Sequence, residues 1–147
     1  MRHIIFLIAY IYFLLMDLKR KEINISALAI YAVVAIFTVA MTRNEVGFAK
    51  LVDMMFSIAF GLVIYFLSYF SREGIGLADG LYFVINGLLL SLKENIILFL
   101  TGLIVAFMIG IILYIFQRNK YKSSRNVRLP FMPCFLPAII GYILCIV

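Results

Sequence analysis

The chain has 147 residues, 66% of them hydrophobic and 14% charged, with a mean hydropathy of +1.14 and a formal net charge of +6. Soluble domains are nearer half apolar and about a quarter charged, so an ordinary soluble domain is excluded and an all-α membrane protein is predicted, with residues 1–147 as one domain. The apolar runs are continuous, which excludes a membrane β-barrel, and the basic residues flank those runs in short loops, where anionic lipid rather than nucleic acid is their counter-charge.

Runs of about 17–25 apolar residues read as membrane-crossing helices. About six transmembrane helices are predicted on this basis, in the order Ile4–Met16, Ile25–Met41, Leu51–Phe70, Leu81–Leu92, Ile96–Phe116 and Phe131–Val147. The first begins with a basic residue, as a secretory signal does, but no small-x-small cleavage site follows and it exits into Asp17-Leu18-Lys19-Arg20-Lys21, so it is expected to be retained. The first and fourth runs are short. Twelve or thirteen helical residues rise about 20 Å against a hydrocarbon core of about 30 Å, so the helix ends at Asp17 and Asp79 are expected to lie below the membrane surface. Between the fifth and sixth runs, Gln117–Leu129 is polar and basic and is expected to be a mobile loop. Pro130, Pro133 and Pro137 then predict an irregular or kinked start to the last helix.

Alternating loops divide the basic residues unequally. One side receives Lys19, Arg20, Lys21, Arg72, Arg118, Lys120, Lys122, Arg125 and Arg128; the other receives Arg2, Arg43, Lys50 and Lys93. The richer side is expected to be cytoplasmic, with both termini outside. Asp17 and Asp79 then both fall on the cytoplasmic side.

Carboxylates beside hydrocarbon are costly, and an intramembrane acid is a functional hypothesis by default. Taken singly, each of these two has a plainer reading. Asp17 is placed to pair with Lys19, Arg20 or Lys21. Asp79, in Gly74-Ile75-Gly76-Leu77-Ala78-Asp79-Gly80, is placed to cap the fourth helix. Together, on one side and at two short helices, they fit an aspartyl protease dyad. In such a pair one acid is ionised and takes a proton from water, while the other stays protonated and polarises the scissile carbonyl. Gly76, Ala78 and Gly80 leave little side-chain bulk around Asp79, so a substrate backbone or the Asp17 segment is expected to approach closely there.

These segments resemble the motifs of the type IV prepilin peptidases, bacterial GxGD aspartyl proteases. Asp17-Leu18-Lys19-Arg20-Lys21-Glu22-Ile23-Asn24 is similar to the family's first motif, without the proline that usually follows the isoleucine. Gly76-Leu77-Ala78-Asp79-Gly80-Leu81 matches the first glycine and the aspartate of the second motif, with Ala78 for its second glycine and Leu81 for its lysine. Leu129-Pro130-Phe131-Met132-Pro133-Cys134-Phe135-Leu136 resembles the family's Pro-Phe-x-Pro-x-Leu lead-in to the last helix. The chain lacks the Cys-x-x-Cys segment of the larger, methylating members and so resembles the short, peptidase-only forms. The resemblance implies an aspartic endopeptidase with Asp17 and Asp79 catalytic, Gly76 and Ala78 shaping the active-site turn, and no cofactor. It further implies a prepilin or pilin-like secretion subunit as substrate, an apolar helix with a basic leader, cut at the cytoplasmic face of the plasma (inner) membrane. A small transporter or channel subunit with ion-binding or proton-relaying aspartates, and an inactive peptidase-like scaffold, remain the alternatives.

The other polar residues have modest roles by sequence. Asp53 is expected at the outer interface, Glu22 and Glu73 as loop charges, and Asn86 in helix packing. Cys134 and Cys145 are eleven apart and His3 is remote from both, so neither a metal site nor a disulfide is predicted; both cysteines read as small apolar packing residues. With no tryptophan, Tyr10, Tyr12, Tyr114 and Tyr142 are the candidate interface anchors.

Overall fold

The computed structural model describes residues 2–20, 24–42, 47–70, 76–118 and 132–146. Among these it is all-α, with six helices: α1 (Arg2–Arg20), α2 (Ile25–Met41), α3 (Phe48–Phe70), α4 (Leu77–Leu89), α5 (Leu92–Arg118) and α6 (Leu136–Ile146), with a 3-10 turn (Met132–Phe135) leading into α6. Lys21, Glu22, Arg43, Arg72, Glu73, Pro130 and most of the basic Gln117–Leu129 loop, with Lys120, Lys122, Arg125 and Arg128, lie outside the described residues.

Several boundaries depart from the sequence-based expectation: α3 and α5 start earlier, at Phe48 and Leu92, and α6 starts later, at Leu136, behind its 3-10 turn. Two departures bear on the site. The first helix does not stop at Met16; it continues through Asp17 to Arg20, because Asp17 occupies the stripe Phe6, Tyr10, Phe13, Asp17 that turns into the bundle. At 19 residues α1 is about 28 Å long, not a short helix. The fourth helix has 13 residues, close to the expected length, but lies about one turn earlier, starting at Leu77 and ending at Leu89. Its end is set by Ser91-Leu92-Lys93-Glu94, a capping box for α5. The Glu94 carboxylate accepts from the Ser91 backbone N–H and hydroxyl (both 2.8 Å), and the Glu94 N–H donates to Ser91 Oγ at 3.4 Å.

Helix α4 is the hub, packing on α1, α2, α3 and α5. Its closest neighbour is antiparallel α3, and the two meet backbone to backbone through glycine. A Cβ on Gly61 would sit 2.6 Å from Val84 Cα, one on Gly87 2.7 Å from the Ile58 nitrogen, and one on Gly80 2.7 Å from Tyr65 Cα. Small residues on one stripe of α3 (Ser57, Gly61, Ser68) permit this approach, the usual device of helices packed in lipid. Polar side chains tie the remaining contacts. Asn95 of α5 donates from Nδ2 to Ser57 Oγ and to the Phe83 carbonyl (both 3.2 Å), and the Tyr31 hydroxyl of α2 donates to Asn86 Oδ1 at 2.8 Å. Asn86 is thus a helix-packing residue, as expected. Tyr82, Phe83, Phe13 and Phe135 fill the centre with edge-to-face ring contacts.

The outward faces are apolar: Phe48 is 84% exposed, Phe107 67% and Leu144 74%. Helix α3 and residues Leu92–Ile112 of α5 are long and apolar enough to cross a membrane, with mean hydropathies of 2.0 and 2.6. Of the tyrosines expected as interface anchors, Tyr12 and Tyr114 are exposed and Tyr142 is half-buried with its hydroxyl against His3 Nδ1. Tyr10 is the exception. It is fully buried, because it lies on the inward stripe of α1.

Candidate active site

Asp17 and Asp79 are 62 residues apart in sequence, and the fold brings them to the same end of the bundle. Asp17 sits on the last turn of α1 with 5% of its surface exposed. Asp79 sits in the first turn of α4, half-buried. Their carboxyls lie within electrostatic reach of each other.

Asp79 is not the N-cap of α4. Gly76 is, in extended conformation and without a side-chain cap; Asp79 is the third helical residue and its carboxylate accepts from the Gly76 backbone. That position, in the field of a helix N-terminus, suits a carboxylate. The Asp79 carboxylate also explains Gly76: a Cβ there would meet Asp79 Oδ2 at 2.8 Å. Ala78 and Gly80 lie on the helix rather than in a turn. Ala78 packs against the core, and the space beside Gly80 is filled by the backbone of Tyr65. Gly80 therefore serves close helix packing behind Asp79 and does not open a path to it.

Asp17 is held from across the bundle. Its Oδ2 accepts from the backbone N–H of Met132 at 2.9 Å, in a buried contact. The carbonyl of the same residue accepts from the Tyr10 hydroxyl at 3.1 Å. The 3-10 turn is seated at its other end by Phe135, whose ring lies where a side chain on Gly102 of α5 would go. Cys134, between these two anchors, is buried within electrostatic reach of both Asp17 and Asp79. By sequence Cys134 reads as a small packing residue of the last helix; it lies instead on a turn within electrostatic reach of the two acids, because the lead-in to α6 folds back over the end of α1. The Lys19 side chain is exposed, and Lys21 lies outside the described residues.

A cavity of about 660 Å³ is at the opposite end of the bundle, lined by Arg2, His3, Thr42, Lys50, Asp53 and Glu94 among others. Its acids have structural work. Glu94 caps α5, and the Asp53 carboxylate faces the Leu92 N–H at 3.3 Å. Asp53 is thus a helix-end residue of α3 and α5, remote from the Asp17–Asp79 end. Among the described residues no group of three His, Cys, Asp or Glu side chains is placed to hold a metal ion.

Two acids brought together at one end of an all-helical bundle define a candidate carboxylate-dyad site. Residues 4–115 match the type IV leader peptidase family, and the chain belongs to it. The matched stretch carries both aspartates, whereas the 3-10 turn that touches Asp17 lies beyond it. No curated protein and no solved structure matches the chain.

Proposed function

We propose that the chain is an aspartic endopeptidase of the plasma (inner) membrane that removes the basic leader from type IV prepilins or pilin-like secretion subunits at the cytoplasmic face. The observation that carries this reading is the convergence of Asp17 and Asp79 in a member of the leader peptidase family. The six helices form one membrane-embedded domain, in keeping with the exposed apolar side chains on the helices that surround α4.

Two neighbouring carboxyls do not both ionise cheaply, so the pair shares one proton. The ionised member takes a proton from a water molecule as its oxygen attacks the scissile carbonyl carbon. The protonated member gives its proton to the carbonyl oxygen, leaving a neutral tetrahedral diol. Collapse of that diol returns the carbonyl, transfers a proton to the leaving nitrogen and breaks the C–N bond, which restores the shared proton. Both acids are catalytic in this scheme; Gly76 lets Asp79 fold back on its helix end, and Gly80 sets α4 against α3.

The experiment is Asp→Asn at each acid in the purified protein, with a prepilin peptide carrying glycine at its junction. Asn keeps size and helix-end hydrogen bonding but cannot ionise. Asp17→Asn and Asp79→Asn should each nearly abolish cleavage with the protein still accumulating in the membrane, and the double variant should be little worse. Asp53→Asn should cleave normally. Substantial cleavage by either single variant rejects the dyad. A transporter reading is disfavoured by the placement of both acids at one end of the bundle rather than midway along it.

A further inference from the structure

The stripe that carries Asp17 also carries Tyr10, seven residues earlier and therefore on the same side of α1 about 10 Å away. Both side chains close on one residue of the distant 3-10 turn. Asp17 takes the Met132 N–H at 2.9 Å and Tyr10 gives its hydroxyl proton to the Met132 carbonyl at 3.1 Å, in two buried contacts. Met132 has no exposed surface and Tyr10 has 1%. Pro133, next in the chain, has no N–H of its own to offer. The turn is thus fixed to α1 at Met132 and to α5 at Phe135, with Cys134 between them, within electrostatic reach of both acids.

We propose that Tyr10 is a positioning residue for cleavage: by gripping the Met132 carbonyl it holds the Met132 N–H against Asp17 and fixes the orientation of that carboxylate towards Asp79. This rests on the peptidase reading above. The Tyr10 hydroxyl donates to the backbone of the turn. Its effect passes through the backbone of the turn, so it falls on the chemical step and not on substrate binding. Tyr10→Phe removes one oxygen and keeps the ring packed. The Met132 carbonyl is then buried without that donor, and the turn relaxes to find another.

The test compares Tyr10→Phe with Tyr31→Phe. Tyr31 is also buried and also loses a single hydroxyl donation, to Asn86 Oδ1 at 2.8 Å, but it does not touch the turn. The two variants should lose comparable thermal stability. Tyr10→Phe should lower kcat about tenfold, or ~1.4 kcal/mol, with KM within about twofold of the unaltered protein. Tyr31→Phe should leave both constants unchanged. Equal kcat in the two variants, a loss expressed in KM alone, or failure of Tyr10→Phe to accumulate where Tyr31→Phe does, would overturn a positioning role and leave Tyr10 a packing residue. Failure of the peptidase reading has a different signature: the unaltered protein does not cleave the peptide, or Asp17→Asn cleaves it normally, and then this inference falls with it.

Discussion

Replacing Gly80 by alanine separates the packing of the bundle from the placement of Asp79. The added Cβ would sit 2.7 Å from Tyr65 Cα, 3.2 Å from Ser68 Oγ and 3.3 Å from Tyr65 Cβ. Carbon atoms rest at about 3.5–4.0 Å, so α4 must move about 1 Å from α3 at this level. The nearest atom is backbone, and no rotamer change relieves it. Alanine gains about 1 kcal/mol over glycine in a helix interior, and overpacking costs about 1–3 kcal/mol, so the net loss of stability should be modest, about 0–2 kcal/mol. The functional loss should be larger. Asp79 is the adjacent residue, and a misplacement of about 1 Å is worth about 100-fold in rate. Initial rates of cleavage of the prepilin peptide, measured with thermal unfolding in the same detergent, test this. Gly110→Ala is the control: nothing lies within 4 Å of its Cβ, so it should cleave normally and be slightly more stable. A Gly80→Ala protein that cleaves at the unaltered rate would refute the argument that helix separation at Gly80 sets the acid.

Asn95→Leu removes the donor to Ser57 Oγ and the Phe83 carbonyl and should cost about 1–3 kcal/mol, read from the thermal midpoint; an unchanged midpoint would show that these contacts add nothing net. A bulky maleimide should inhibit slowly through buried Cys134, and Cys134→Ala should abolish that sensitivity while still cleaving; undiminished inhibition of Cys134→Ala would place the thiol effect elsewhere. A cysteine at Ser123, with Cys134 and Cys145 removed, should resist an impermeant thiol reagent in intact cells; ready labelling would reverse the orientation inferred from the basic residues.

The order of the helices was legible in the sequence because continuous apolar runs leave little choice, and α2 falls at Ile25–Met41 as predicted. The ends were less legible. Asp17, being charged, reads as the stop of the first helix, yet its spacing from Phe6, Tyr10 and Phe13 puts it on the inward stripe. The Ser91…Glu94 capping box, a local signal, would have ended the fourth helix correctly. The seven-residue spacing of Gly80 and Gly87 likewise marked a helix contact rather than a loose active-site loop. Nothing local in the sequence could place Met132 and Cys134 at Asp17, since that contact joins residues more than a hundred positions apart.

The 13 residues of α4 give it a length of about 20 Å, some 10 Å less than the hydrocarbon thickness of an average bilayer. On the reading proposed here, Asp79 at its head cannot reach the level of the lipid headgroups unless the membrane dimples towards it. Mismatch of this kind is relieved by local thinning, at fractions of a kcal/mol per Å. The protein then acts as a gauge of bilayer thickness. In vesicles of short-chain lipid the dimple is nearly free and water meets the acids readily; each added pair of methylenes deepens it. Cleavage should therefore slow steadily with acyl-chain length, so that the lipid around the enzyme sets its rate as well as the substrate does.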